Sequence, residues 1–63
     1  MKLRDYLKHE EMTAAEFARR VGASEHGVTK WLYGQRMPRR DMLAKIEEKT
    51  DGKVTANDFV GAA

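Results

Sequence analysis

The sequence contains no cysteine, which excludes a disulfide framework and any metal site built on thiolates. It has no apolar run long enough to span a bilayer, and its first residues do not begin a secretory signal peptide. It also has no glycine-rich phosphate loop. We therefore expect a cytoplasmic protein with no membrane partner. A length of 63 residues predicts one small domain over positions 1–63, with a modest core.

Histidine is scarce as well, and the two that occur, His9 and His26, fall on different predicted helices. Neither belongs to a metal-binding pair or to a nucleophile–base–orienter set, the arrangements that hydrolytic chemistry needs. The sequence therefore predicts a protein that is not an enzyme. We expect no catalytic residue, no bound metal, no cofactor and no small-molecule ligand.

Positive charge is concentrated in the first two thirds of the chain. Residues 1–40 hold nine Lys/Arg and five Asp/Glu, a balance of +4, whereas residues 41–63 hold three and five, a balance of −2. Such an asymmetry suits a polyanionic partner on one side of the molecule. An ordinary solvated surface with uneven charge would produce the same count.

Two short helices joined by a tight turn are predicted in the middle of the chain. Thr13 and Glu16 fit a capping box at the start of the first helix, and Gly22 can take the left-handed conformation that ends it. Ser24 can cap the second helix, and Gly34 can end it. The pattern indicates a helix–turn–helix unit.

The second helix of this pair has two different faces. Val28, Trp31 and Leu32 follow helical spacing and should face a core. A helix whose other face carries small and polar side chains can enter the DNA major groove and read base edges. That outer face is predicted to carry Ser24, Glu25, His26, Gly27, Thr29, Lys30 and Tyr33.

The base-reading candidates on this face are Glu25, His26, Thr29 and Lys30. Glu25 can accept a hydrogen bond from a cytosine amino group, Lys30 can donate to guanine, and the Thr29 methyl group can pack on thymine. Gly27 lowers the helix propensity of this segment. Its presence has two possible explanations: the helix must approach DNA or a neighbouring helix closely, or the glycine is simply tolerated at this position.

The DNA-backbone candidates lie at the ends of this helix and in the loop after it. Arginine suits phosphate because its planar fork donates two parallel hydrogen bonds, although a merely solvated basic loop is the alternative. Ser24 can contact phosphate or serve only as a helix cap. The candidates are Ser24, Tyr33, Arg36, Arg39 and Arg40.

Three further helices are predicted, over about 1–10, 40–49 and 56–60, each with an apolar stripe or a cap signal. Gly52 is expected to be the left-handed cap of the second of these. The Asp51-Gly52 pair is also a hairpin turn signal, so an α+β fold with a C-terminal β-hairpin is the minor alternative. The structural core residues are predicted to include Phe17, Trp31, Leu32, Leu43 and Ile46.

The central unit resembles the helix-turn-helix of the phage Cro and repressor family. The resemblance is carried by Ala18, Gly22, Val28 and the Trp31-Leu32 pair, together with the downstream Gly34, Pro38 and Arg39. It implies an all-α, lambda-repressor-like bundle of about five short helices. One departure is Ala14, where the family often carries a glutamine that helps to fix a phosphate.

The resemblance also implies a function: sequence-specific binding of double-stranded DNA by a transcriptional regulator, concretely a Cro-like repressor of phage or prophage type that blocks polymerase by occupying its operator. Family members usually bind as homodimers, which can be weak or form only on DNA. The candidate dimer surface is the segment around Val54, Phe59 and Val60, unless these residues are needed for the core. The alternative function is a protein–protein interaction module of the same fold without specific DNA binding.

Overall fold

Five α-helices make up the computed structural model, which describes residues 1–60 and contains no strand within that range. The all-α prediction is therefore confirmed. None of the described helices is long and apolar enough to cross a membrane. In chain order the helices are α1 (Leu3–His9), α2 (Ala14–Val21), α3 (Glu25–Leu32), α4 (Arg40–Lys49) and α5 (Asn57–Val60).

Side-chain caps begin α2 and α3 as the sequence predicts. Thr13 Oγ1 accepts a hydrogen bond from the backbone N–H of Glu16 at 3.1 Å, and Glu16 Oε1 accepts one from the N–H of Thr13 at 3.1 Å. Ser24 Oγ accepts one from the N–H of Gly27 at 3.0 Å. These bonds satisfy N–H groups that have no partner inside the helix.

The end of α4 contains the left-handed Gly52 that the sequence predicts, but the left-handed conformation begins one residue earlier. The first left-handed residue is Asp51 (φ 55°), and Gly52 (φ 78°) follows it in the same region. The N–H of Gly52 donates to Glu47 O at 2.8 Å and that of Asp51 to Glu48 O at 3.2 Å, which is the Schellman pattern of a helix end. The Asp-Gly pair therefore closes a helix, and the β-hairpin alternative is wrong.

The same motif ends α1 without a glycine. Glu11 has φ 53°, and the N–H of Met12 donates to Leu7 O at 2.9 Å. A residue with a Cβ atom is disfavoured in the left-handed region by roughly 1–2 kcal/mol. The tight connection between α1 and α2 is thus made at a small cost in stability.

The core draws on α1 to α4 and on the segment before α5. Tyr6 and Phe17 meet edge to face, with ring centroids 6.3 Å apart. Leu43, predicted to be a core residue, is only half-buried, and Trp31 and Leu32 are half-buried residues that pack against the core rather than lie inside it. The buried apolar residues are Leu3, Tyr6, Leu7, Phe17, Ala18, Val21, Val28, Ile46 and Val54.

The candidate dimer segment belongs largely to this core. Val54 is completely buried, and Phe59 is half-buried and packs against the core cluster. The side chain of Val60 lies outside the described part of the structure. Val54 and Phe59 therefore contribute to the core, and Val54 has no exposed surface to offer to a second copy.

A buried hydroxyl joins α4 to this segment, and no pattern in the sequence predicts it. Thr50 is 2% exposed. Its Oγ1 donates to Ile46 O at 2.8 Å and accepts from the backbone N–H of Val54 at 3.1 Å. Buried backbone N–H groups need such partners, so Thr50 holds the chain as it leaves α4.

Near α5 a carboxylate joins both ends of the described chain. Asp58 Oδ2 accepts a hydrogen bond from the N–H of Thr55 at 2.8 Å and lies 3.2 Å from the amino group of Met1. The hydrogen bond from Thr55 and the nearby amino group lower the pKa of Asp58. The helix itself begins at Asn57, one residue later than predicted.

Candidate nucleic-acid interface

The recognition candidates lie on the side of α3 that faces away from the core. Val28 is completely buried. The four base-reading candidates are more accessible, since Glu25 and His26 are exposed and Thr29 and Lys30 are half-buried. Positions 25, 26, 29 and 30 share one face of a helix, so the structure brings these four side chains together.

Thr29 has a fixed hydroxyl. Its Oγ1 donates to Glu25 O, one turn earlier in α3, at 2.9 Å. This i to i−4 bond is a common arrangement for threonine in helices. Because the hydroxyl proton is used within the helix, the hydroxyl can still accept a hydrogen bond but has no proton left to donate. The methyl group is then the chemically distinctive part that Thr29 can present to a base.

Ser24 acts as the helix cap described above, which confirms one of its two predicted roles. Its Oγ accepts the bond from Gly27, and no acceptor for its hydroxyl proton occurs among the described residues. A capping serine can therefore also donate to a phosphate oxygen placed before α3. The start of α3 favours an anion in any case, because its backbone dipoles point toward this end.

Three arginines flank the start of α4. Arg36, Arg39 and Arg40 are all exposed, whereas Pro38 between them is buried. Arg39 is the N-cap residue of α4, and none of the three forms an ion pair with another described residue. The buried proline anchors the loop to the body of the protein, while the guanidinium groups stay accessible to phosphate.

A groove of about 350 Å³ separates the start of α3 from this loop. Ser24, Gly27, Arg36 and Arg39 are among its lining residues. Gly27 is half-buried, like Thr29 and Lys30, and it lines this groove together with Trp31. Its lack of a side chain therefore widens the groove.

Gly27 also lies close to the helix cap. A Cβ atom added there would lie 3.2 Å from Ser24 Oγ. The equivalent position in α2 is Glu16, which carries a Cβ atom while its N–H makes the same kind of bond to Thr13 at 3.1 Å. The contact at Gly27 is thus tight but of a kind that the chain already tolerates.

Tyr33 is the most exposed of the large apolar or aromatic side chains near α3, at 66%. Its ring lies beneath the guanidinium group of Arg4, whose Cζ atom is 5.7 Å from the ring centroid. Arg4 belongs to α1, and the sequence predicts no role for it. Arg4 also donates a hydrogen bond to the carbonyl of Leu32, which lies 28 positions later in the chain. Contacts between residues so far apart in the sequence leave no local pattern that would predict them.

Ala14, the departure from the family pattern, is the first residue of α2. It is half-buried and packs against the core. The position therefore supplies packing and offers no hydrogen-bonding group to a phosphate. Within the described part of the chain, no group of three or more histidine, aspartate or glutamate side chains could hold a metal ion.

Comparison with known proteins gives one positive finding. A family model described as Helix-turn-helix matches residues 3–55. No curated protein and no solved structure matches the chain. The matched range covers well over half of the sequence, and it contains α1 to α4 and all nine candidate interface residues.

Proposed function

The chain belongs to the helix-turn-helix family, which marks it in general terms as a DNA-binding transcription regulator, and from this premise we propose that it is a sequence-specific repressor of the Cro-like kind. The repressor acts by occupancy: α3 enters the major groove of an operator, and the bound protein excludes polymerase. It acts in the cytoplasm, in a phage or prophage setting.

The observation that carries the proposal is the division of α3 into two faces. One face packs on the protein through Val28, and the other leaves Glu25 and His26 exposed with Lys30 beside them. The major groove is wide enough to admit a helix, and its base edges are read by side chains of this kind. A packed helix with an accessible polar face supports base recognition.

Glu25 is the specificity residue in this proposal, because it is the only carboxylate among the candidates. A carboxylate close to phosphates repels DNA unless it accepts a hydrogen bond from a cytosine amino group. It therefore penalises wrong sites more than it strengthens the right one. His26, Thr29 and Lys30 supply further base contacts, with the Thr29 methyl group directed to thymine.

Phosphate contacts set the position of α3 in the groove. Ser24 donates its hydroxyl proton before α3, Tyr33 contacts the backbone after it, and the three arginines of the loop grip the adjacent phosphates. Charge-assisted contacts of this type dominate affinity and make it fall with salt. Two copies bound to half-sites about one helical turn apart form the complex, through a surface that excludes Val54.

The salt dependence of binding tests the phosphate role. Removing one phosphate contact should make the negative slope of log K against log salt concentration shallower by about 0.9. We expect this of Arg39→Ala. The matched control is Lys49→Ala, which removes an equal charge at the other end of α4. Equal slopes for the two variants and the wild type would remove Arg39 from the interface.

The site preference of Glu25→Gln tests the base-reading role. The variant should bind non-specific duplex more tightly and discriminate less between sites, because the repulsion from phosphates is lost. An unchanged preference would refute the role of Glu25.

Absence of duplex binding at every salt concentration would favour the other candidate function, a protein–protein interaction module. The observation that favours this module is Ala14, which packs against the core and offers no contact to a phosphate.

A further inference from the structure

The carbonyl groups at the end of α3 are all satisfied, but by two different means. The last four carbonyls of a helix have no partner inside it. Three of them accept from backbone N–H groups that follow the helix, at 2.9–3.2 Å. These pairs are Tyr33 N–H to Thr29 O, Gln35 N–H to Lys30 O and Gly34 N–H to Trp31 O.

The fourth carbonyl is reached from another helix. Leu32 O accepts a hydrogen bond from Arg4 Nη2 at 3.3 Å. The same guanidinium group lies over the Tyr33 ring, with Cζ 5.7 Å from the centroid. A cation at this end of a helix also complements its dipole. One side chain of α1 therefore contacts both the last carbonyl of α3 and the residue that follows it.

We propose that Arg4 is a positioning residue of the DNA interface, which ties the end of α3 and the ring of Tyr33 to α1. The inference rests on the proposed function, in which Tyr33 contacts the DNA backbone. Arg4 affects DNA binding by holding Tyr33 and the end of α3 in place, and not by attracting DNA with its own charge.

The physical reason is preorganisation. Tyr33 is two-thirds exposed, so without a neighbour its ring would sample several rotamers and would have to be ordered on binding. Ordering a free side chain at an interface costs affinity, and holding it in advance avoids that cost. The planar guanidinium suits both contacts, since it can lie flat on a ring while an N–H in its plane reaches a carbonyl.

A double-mutant cycle with duplex DNA carrying the protein's selected site tests the proposal. Arg4→Ala should weaken binding by about threefold to tenfold, the effect of losing one preordered side chain. In a Tyr33→Leu background the same change should cost less than about twofold, because the ring that Arg4 holds is gone. Lys8→Ala, one turn further along α1, is the control for loss of charge.

Three results would overturn the proposal. The first is that Arg4→Ala weakens binding no more than Lys8→Ala does. The second is that Arg4→Ala weakens binding by the same factor with and without the Tyr33 ring. Either result would mean that Arg4 contributes only its positive charge. Full wild-type affinity in Arg4→Lys would lead to the same conclusion, since lysine keeps the charge and lacks the planar fork.

Hydrogen exchange gives a readout that does not involve DNA. The amides of residues 33–35 should exchange about threefold to tenfold faster in Arg4→Ala, because the end of α3 opens more often. Amides of α2 should be unchanged. If the wild type binds no DNA, the proposed function and the positioning role fall together, and faster exchange would identify Arg4 as a helix cap only. Unchanged exchange together with unchanged binding would remove Arg4 altogether.

Discussion

Replacing Thr50 by valine would test the buried hydrogen bonds that hold the segment after α4. Valine keeps the shape of threonine and replaces the hydroxyl by a methyl group. Ile46 O would keep a partner, because the backbone N–H of Thr50 also donates to it at 3.0 Å. The N–H of Val54 would lose Thr50 Oγ1, the only acceptor the described structure gives it.

The magnitude follows from that one unsatisfied group. A buried N–H without a partner costs about 1–3 kcal/mol, and the additional methyl group recovers less than about 1 kcal/mol. We therefore expect a loss of about 1–2 kcal/mol in the free energy of unfolding. For a domain of this size that corresponds to a fall in Tm of roughly 5–15 °C. Such a loss is a large fraction of the stability of a small domain.

Urea unfolding followed by far-UV circular dichroism is the assay, with Thr50→Ser and Thr50→Ala as companions. Serine keeps the hydroxyl and loses one methyl group, at about 1 kcal/mol. Alanine loses both, so its loss should exceed that of either other variant. A Thr50→Val protein as stable as the wild type, with an unchanged m value, would show that the hydrogen bond to Val54 is not needed.

Three further predictions concern helix ends. Glu11→Gly should stabilise the protein by about 0.5–1 kcal/mol, because glycine accepts the left-handed conformation more readily; equal or lower stability in urea would contradict this. Gly27→Ala should stabilise the free protein by up to about 1 kcal/mol because alanine has the higher helix propensity, and the tight contact of the new Cβ atom with Ser24 Oγ should reduce this gain. A loss of stability in urea would mean that the Ser24 side chain cannot move to accommodate the methyl group. Hydrogen bonds from Thr13, chiefly from its backbone N–H, lower the pKa of Glu16, so the stability they provide is present at neutral pH and is lost as the pH falls through that lowered pKa. Glu16→Gln keeps a capping side chain without the titration, and its stability should fall less steeply than that of the wild type below about pH 4; identical pH profiles would contradict this.

Local signals in the sequence predict most of the fold. Thr13 with Glu16, and Ser24, form the predicted caps, because a cap depends on residues three apart in the chain. Gly22 (φ 76°) and Gly34 (φ 70°) have the left-handed conformation that the sequence predicts, because glycine has no Cβ atom to disfavour it. The left-handed conformation of Glu11 (φ 53°) is not predictable from the sequence, because a residue with a Cβ atom disfavours that region.

The candidate site shows the same limit. Exposure of Glu25 and His26 follows from helical spacing relative to Val28, and the structure agrees with it. The position of Gly27 in the groove and the contact of Arg4 with Tyr33 depend on how separate elements meet. Such contacts leave no periodic pattern in a single sequence, so tertiary structure was needed to find them.

Selection from a randomised duplex library at roughly physiological salt tests the central claim, that α3 reads a DNA sequence. The wild type should enrich an inverted repeat with half-sites about one helical turn apart, and Glu25→Gln should enrich a less restricted version of it. Binding without enrichment, together with affinity that vanishes as salt rises, would contradict the claim and leave a non-specific DNA-binding protein.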